Sequence, residues 1–405
     1  MTEWSTARLG DICSVRSGGT PARSNPAYFG GEIPWVKIGD MLQGCIYDTE
    51  EKITEVALKE SSAKVFPAGT ILISIFATIG RTATLGVDAA TNQAIAGIIP
   101  KSSDLLSAQY LRCYLDSVVA QLERQASGVA QLNINSSILK ALEVPLPPLA
   151  EQKRIAAALN QADALRAKRG EAIALLDDLA QSIFVDMFET AEEGWIDVKV
   201  SDLAVSDKSA IRTGPFGSQL LHEEFTESGI PVLGIDNVVH NEFHWGKRRY
   251  ISEEKYRQLA RYTVHPGDLL ITIMGTCGRC AVVPREIPTA INTKHLCCIT
   301  LDQRKCLPEF LHAYFLMHPD SQNYLKRNTK GAVMGGLNMG LIKALPVKLP
   351  PLEVQHEYVE RVGAVRALRD RHRTHLAALD ELFTSLQHRA FSGTLWDHEA
   401  PGEAA

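Results

Sequence analysis

Val144-Pro145-Leu146-Pro147-Pro148-Leu149-Ala150-Glu151-Gln152 returns 203 residues later (347 − 144) as Val347-Lys348-Leu349-Pro350-Pro351-Leu352-Glu353-Val354-Gln355. The correspondence runs on without a gap over residues 144–188 and 347–391, with 15 of 45 positions identical. Ala164-Leu165-Arg166 matches Ala367-Leu368-Arg369, and Leu176, Asp177, Leu179, Ser182 and Phe188 match Leu379, Asp380, Leu382, Ser385 and Phe391. A repeat of that length at one fixed offset marks a duplication, and the lack of any insertion implies that the length of the element matters.

Each copy reads as a proline-braked start followed by a long helix. The paired prolines belong before or in the first turn, because proline has no N–H to donate and fixes φ. Apolar residues then recur at helical steps: Ile155, Leu159, Ala162 and Leu165, then Ile173, Leu176, Leu179 and Ile183. The second copy offers Tyr358, Val362, Val365 and Leu368, then Leu376, Leu379, Leu382 and Leu386. One apolar stripe per helix predicts an antiparallel coiled-coil pair. Ile155, Leu159, Leu176, Leu179, Ile183, Tyr358, Val362, Leu379, Leu382 and Leu386 are its expected packing positions. At about 1.5 Å per residue each rod is roughly 55 Å long, a length that suits a spacer.

The blocks before the two helices are also related. Ile33-Pro34-Trp35-Val36-Lys37-Ile38-Gly39-Asp40 aligns with Ile230-Pro231-Val232-Leu233-Gly234-Ile235-Asp236-Asn237. Pro67-Ala68-Gly69 and Pro266-Gly267 each precede an apolar strand, which a turn at Thr78-Ile79-Gly80-Arg81 or Thr276-Cys277-Gly278-Arg279 reverses. The fold class is α+β: two similar mixed α/β domains separated by the helix pair and related by a pseudo-two-fold axis. The boundaries read as domain 1 at 1–143, first helix at 144–190, domain 2 at 191–346, second helix at 347–395 and a tail at 396–405.

Composition bounds the function. With 45% hydrophobic and 22% charged residues the chain is an ordinary globular protein rather than a disordered one. No apolar run reaches membrane-spanning length, the first residues lack the pattern of a signal peptide, and the eight scattered cysteines suit a reducing compartment. The expected location is cytoplasmic, with no membrane partner. Residues 1–142 hold 12 basic and 13 acidic side chains, and 191–346 hold 18 and 17, so both domains are near neutral. Bulk charge therefore does not demand nucleic acid; any DNA contact rests on local faces.

Two variable domains alternating with two Leu-Pro-Pro-Leu-x-x-Gln helices resemble the specificity (S) subunit of type I restriction-modification systems. Ser17-Gly18-Gly19-Thr20-Pro21, Ile33-Pro34-Trp35 and Asp40-Met41 are similar to a first-domain signature of that family, and Thr213-Gly214-Pro215-Phe216-Gly217-Ser218 to a variant of its recognition domains. The resemblance covers nearly the whole chain. It implies a non-catalytic subunit whose two target recognition domains each read half of a split, asymmetric site on double-stranded DNA. It also implies two docked methyltransferase (modification) subunits and a restriction/translocase subunit. S-adenosylmethionine, Mg and ATP would belong to those partners, with no cofactor on this chain. Two domains on a rod could meet one duplex about one turn apart, roughly 34–36 Å.

Residues identical in both domains cannot make the halves read different sequences. Gly69/Gly267 and Gly80/Gly278 are therefore turn formers, and Arg81/Arg279 either grip phosphate or close internal ion pairs. Base readers should be long polar side chains that differ between the domains: Lys37, Gln93, Gln131 and Asn133 in the first, Arg212, Ser218, Asn237, Lys294, His295 and Lys330 in the second. Arg and Lys suit guanine O6/N7, while Asn and Gln suit adenine N6/N7. The Lys247-Arg248-Arg249 run is either a phosphate contact or an exposed turn.

Catalytic signatures are missing from the sequence: no Gly-x-x-x-x-Gly-Lys-Ser/Thr loop, no strand-following Gly-x-Gly-x-x-Gly and no nucleophile elbow. Cys277-x-x-Cys280 with Cys297-Cys298 has the thiols of a zinc site. The matching first-domain positions are Ile79 and Thr82, and adjacent strand residues face opposite ways, so no metal is expected. The alternative from another class is a duplicated protein-interaction scaffold without DNA sequence specificity.

Overall fold

The structure, a computed structural model, describes residues 4–126, 133–189, 194–329 and 337–396. The chain divides into two units, residues 1–170 with 374–405 and residues 171–373. The long helices are continuous, Leu149–Phe188 and Leu352–Ser392, 40 and 41 residues long. Both pass from one unit to the other, so each unit owns one mixed domain and one half of each helix.

The two units are built alike. In the first, one sheet has the order Cys13–Ser17, Ile95–Pro100, Ile71–Ser74, Thr82–Leu85, Cys45–Ile46. The second unit repeats it as Ile211–Thr213, Leu296–Ile299, Leu269–Thr272, Cys280–Val282. A smaller sheet follows the same rule: Lys52–Ile53, Phe29–Val36, Ala89–Thr91, Val65–Phe66 against Tyr250–Ile251, Ile230–Leu233, Ala290–Asn292, Thr263–Val264. The central strands of the larger sheets are buried on both faces. Ile71 and Ile73 enter the main core of their unit while Leu72 enters a second one. Leu269 and Ile271 part from Leu270 in the same way, which is why these strands read as unbroken apolar runs instead of alternating ones.

The turns at Gly69 and Gly267 (φ +85° and +81°) and at Gly80 and Gly278 (φ +83° and +82°) have backbone torsions that favour glycine. Around the latter pair the hydrogen bonds are duplicated. The Arg81 and Arg279 N–H groups donate to the hydroxyls of Ser74 and Thr272, both at 2.9 Å. Gly80 and Gly278 donate to the carbonyls of the same two residues.

The proline pairs stand immediately before the helices. The segment ahead of them does more than link: Glu143–Leu146 pairs antiparallel with Ser5–Arg8, and Pro346–Leu349 with Ile196–Lys199. Gln152 and Gln355, buried in the first turns, lock each helix to its own domain. The Gln152 carbonyl accepts the Ser107 N–H, and its amide donates to Leu105 O and Pro147 O, each at 2.9 Å. Gln355 does the same with Leu307 N–H, Lys305 O and Pro350 O at 2.8, 3.1 and 3.0 Å.

Within each unit the two half-helices run antiparallel. In the first, Arg166 meets Asp380 at 2.6 Å, and the Trp396 indole, just past the second helix, donates to Glu151 near the start of the first. In the second, Asp177 meets Arg369 at 3.1 Å and Phe184 packs on Tyr358. Arg166/Arg369 and Asp177/Asp380 are repeat partners, so one ion pair occurs once in each unit. Phe188 and Phe391 are partners too. Phe391 packs against Tyr110 and Tyr114 in the first unit, Phe188 against Phe310 in the second. Each helix thus starts on one domain's core and ends on that of the other unit.

The apolar stripe is therefore not a uniform seam. Ile155 and Leu159 lie in the first main core, Tyr358 and Val362 in the second. Leu176, Ile183, Leu379 and Leu386 are half-buried. Leu179 and Leu382 depart from the expected packing, standing 46% and 49% exposed. Their section of the helices is held by the Arg–Asp pairs, leaving these leucines on the solvent side. Leu165 and Leu368 are exposed as well. Among the described residues no helix is long and apolar enough to cross a membrane.

Candidate nucleic-acid interface

In the second unit the strand Ile230–Leu233 ends in Gly234 and a 3-10 turn, Ile235–Asn237. The Asn237 side chain closes that turn, accepting the Gly234 N–H at 2.8 Å and donating to His244 O at 2.9 Å. Two neighbouring segments are fixed beside it by backbone bonds. Val232 donates to Arg249 O and Thr293 to Leu233 O, both at 2.9 Å. These three segments, with His222, Phe225 and Thr226, wall a cavity of about 490 Å³ lined by Asp236, Lys247, Arg248, Arg249 and His295. Arg249 reaches Asp236 at 3.3 Å, and Arg248 stacks over Trp245 at 5.0 Å. The other Asp236 carboxylate oxygen and the Thr293 hydroxyl are buried without a hydrogen-bond partner among the described residues. Burial, then the charges of Lys294 and Arg249, push the His295 imidazole below its usual range, so it is neutral at pH 7 and can donate and accept.

The first unit builds the same frame with other side chains. The strand Phe29–Val36 leads to Lys37, whose N–H donates to Asp40 at 2.7 Å as Gly234 donates to Asn237. Trp35 N–H donates to Glu51 O at 3.0 Å, the place Arg249 holds in the second unit. Asn92 N–H donates to Val36 O, and Ile75 N–H to Ala94 O, as Thr293 donates to Leu233 and Ile273 to His295. This register equates Lys37 with Gly234, Glu51 with Arg249 and Gln93 with Lys294. The rim charges invert: Lys37 Nζ binds Glu51 at 2.8 Å and Glu50 at 3.4 Å, and Arg23 binds Glu51 at 2.7 Å. The Glu51 hydrogen bond raises the Lys37 ammonium above its ordinary value, and the bonds from Lys37 and Arg23 hold the Glu51 carboxyl below its own.

A family model described as the type I restriction modification DNA specificity domain matches residues 1–175 and 192–379. The chain belongs to this family. It is 32% identical over 189 residues to the MjaIX specificity subunit of Methanocaldococcus jannaschii, covering 46% of this chain and 44% of that one. It is 26% identical over 320 residues to the EcoBI specificity subunit of Escherichia coli, covering 71% and 66%. The chain thus spans under half the length of the first relative and about two thirds of the second. The crystal structure of the type I restriction-modification S subunit from M. genitalium matches with a TM-score of 0.60 over 96% of each chain at 16% identity. A chain from a study of complex assembly and conformational transition of the type I R-M system matches at 0.56 and 18% identity, over 98% and 99%. At these identities the likeness is one of fold, and it is the α+β fold that the repeat implies.

Within this specificity-domain frame the sequence candidates fall into three groups. Lys37 and His295 lie at the equivalent rims, and Gln93 and Lys294 hold matching positions in the neighbouring segment; Gln93 is exposed and accepts from the Thr20 hydroxyl. Ser218 is exposed in the 3-10 turn Gly217–Gln219, and Asn133 is half-buried, bridging to Phe76. Arg81 is half-buried with one bond to Ile38 O at 3.3 Å. Arg279 is exposed with no side-chain partner among the described residues, so neither closes the internal ion pair considered for it.

Two candidates are corrected. Arg212 is turned inward: its side chain is 10% exposed, and the guanidinium pairs with buried Asp268 at 3.0 Å and donates to Thr300 Oγ1 and the Ser209 and Thr263 carbonyls. Asn237 is 4% exposed and spends its amide on the turn. Comparing the domains for differences picked it out because Asp40 does the same work with a different side chain. Gln131 and Lys330 lie outside the described residues. The opposed rim residues Glu50, Glu51, Asp236 and Arg249 were missed as a set, since only the strand register shows that Glu51 and Arg249 occupy one place. Among the cysteines, Cys297 and Cys298 face different cores, as adjacent strand residues should.

Proposed function

We propose that this chain is the DNA sequence-specificity subunit of a type I restriction-modification complex, reading a bipartite, asymmetric target on double-stranded DNA. One observation carries this reading: a single frame occurs twice with opposite rim chemistry, as expected of two readers of unlike half-sites. Methylation and cleavage fall to partners that carry S-adenosylmethionine, Mg and ATP: two methyltransferase subunits and a restriction/translocase subunit. Two docking places are supported by the helices. Leu165 with Leu382 in one unit, and their repeat partners Leu368 with Leu179 in the other, are large apolar residues left exposed at equivalent positions. Equivalent surfaces suit two copies of one partner. Leu165→Lys with Leu382→Lys should cut the number of bound methyltransferase subunits from two to one by light scattering.

The decisive test is the methylome of cells with and without this protein. A methylated motif in two unlike halves, lost on deletion, supports the reading. An unchanged or palindromic pattern refutes it and favours the scaffold alternative, in which gel shifts of the reconstituted complex would show no sequence preference.

A further inference from the structure

The charge-inverted rims can be carried one step further, on the basis of the reading above. A G·C pair presents acceptors on guanine (O6, N7) and an amino donor on cytosine (N4) at its major-groove edge. Its complement is a cation beside a carboxylate. Each unit holds such a couple at the same strand end: Arg249 with Asp236 in the second, and in the first Lys37, two positions earlier in the shared register, with Glu51, which also holds Arg23. Between Arg249 and Asp236 a single hydrogen bond is made among the described residues, at 3.3 Å. The Asp236 side chain lines the cavity and is 31% exposed, so its carboxylate can meet an amino group there, while its second oxygen is buried. The cavity is open, and its other polar walls (Lys247, Arg248, His295) are donors suited to the flanking backbone.

We propose that this couple reads one G·C base pair in each half-site, the cation on guanine and the carboxylate on cytosine. Because the charges exchange places between the frames, each unit meets its base pair the opposite way round with respect to its own sheet. In the second unit Asp236 stands on the strand-end turn and Arg249 on the neighbouring segment. In the first, Lys37 is at the strand end and Glu51 on the neighbour.

The test uses the full chain reconstituted with its methyltransferase subunits, with methylation or binding measured across a library of target variants. Arg249→Gln should make one G·C position degenerate in one half-site, with discrimination there falling roughly 5- to 150-fold. Lys37→Gln should do so in the other half. An unchanged motif overturns the proposal, and so does an equal loss across all sequences, the mark of a phosphate contact. If Arg249→Gln lowers the melting temperature too far to assemble, Asp236→Asn decides. It keeps the side-chain shape but exchanges a carboxylate oxygen for an amino donor that opposes the cytosine amino group, and must relax the same position. A wild-type complex with no sequence preference would instead overturn the specificity reading itself, a distinguishable result.

Discussion

Gln152 offers the sharpest test of how the helices are joined to the domains. Gln152→Leu keeps the volume but removes three hydrogen bonds of 2.9 Å, leaving the Ser107 N–H and the Leu105 and Pro147 carbonyls without that partner. The site is closed, Gln152 being 1% exposed. Each buried orphan costs about 1–3 kcal/mol, and burying a leucine side chain returns roughly 1.5–3 kcal/mol. The net loss should be about 3 kcal/mol. Urea denaturation of the full chain gives the magnitude, and amide exchange at Ser107 gives the place. Gln355→Leu should act alike through Leu307, and the double variant should lose the sum, because the two sites share no partner. A loss under about 1 kcal/mol, or exchange at Ser107 as slow as in the wild type, would refute the idea that this side chain holds the helix start.

Three other outcomes follow from the same structure. Asp268→Asn should destabilise the second unit by roughly 3–5 kcal/mol, since it leaves Arg212 buried without its counter-charge; an Arg212 that reads bases would give a binding defect with stability intact, and melting curves separate the two. Arg369→Ala should cost more than Arg166→Ala, for which about 1 kcal/mol or less is expected. Arg369 is the more buried and serves both Asp177 and Glu242; thermal melts rank the pair.

His312 should make the second unit acid-sensitive. Its Nε2–H donates to Asn241 O and Cys280 O, its Nδ1 has no partner among the described residues, and burial lowers its pKa from 6.5 to about 4. A lowered histidine pKa means that the unfolded chain binds the extra proton first. Stability is full above pH 6.5 and falls as the pH drops toward 4, by on the order of 3 kcal/mol. His312→Gln should flatten that slope in melts taken between pH 7 and 4.

Much of this was legible in the residues. Identities at a single offset, Leu-Pro-Pro-Leu-x-x-Gln and the helical spacing announced a duplicated α+β chain with two long helices, because periodicity and proline chemistry are local properties. The Gly69, Gly80, Gly267 and Gly278 turns were legible for the same reason. What each stripe residue touches was not. Ile155 and Tyr358 enter domain cores while Leu179 and Leu382 face solvent, yet all four fit one periodic pattern; only the packing of neighbouring elements separates them.

The rims teach the same lesson in charge. By itself the sequence determined the repeat, the element types and the set of polar residues that differ between the halves. The tertiary structure decided which of these turn inward, as Arg212 and Asn237 do, and which meet across a shared frame, as Lys37 with Glu51 and Asp236 with Arg249. These partners stand only 14 and 13 residues apart, but what brings them together is the pairing of neighbouring strands, whose register no local pattern encodes.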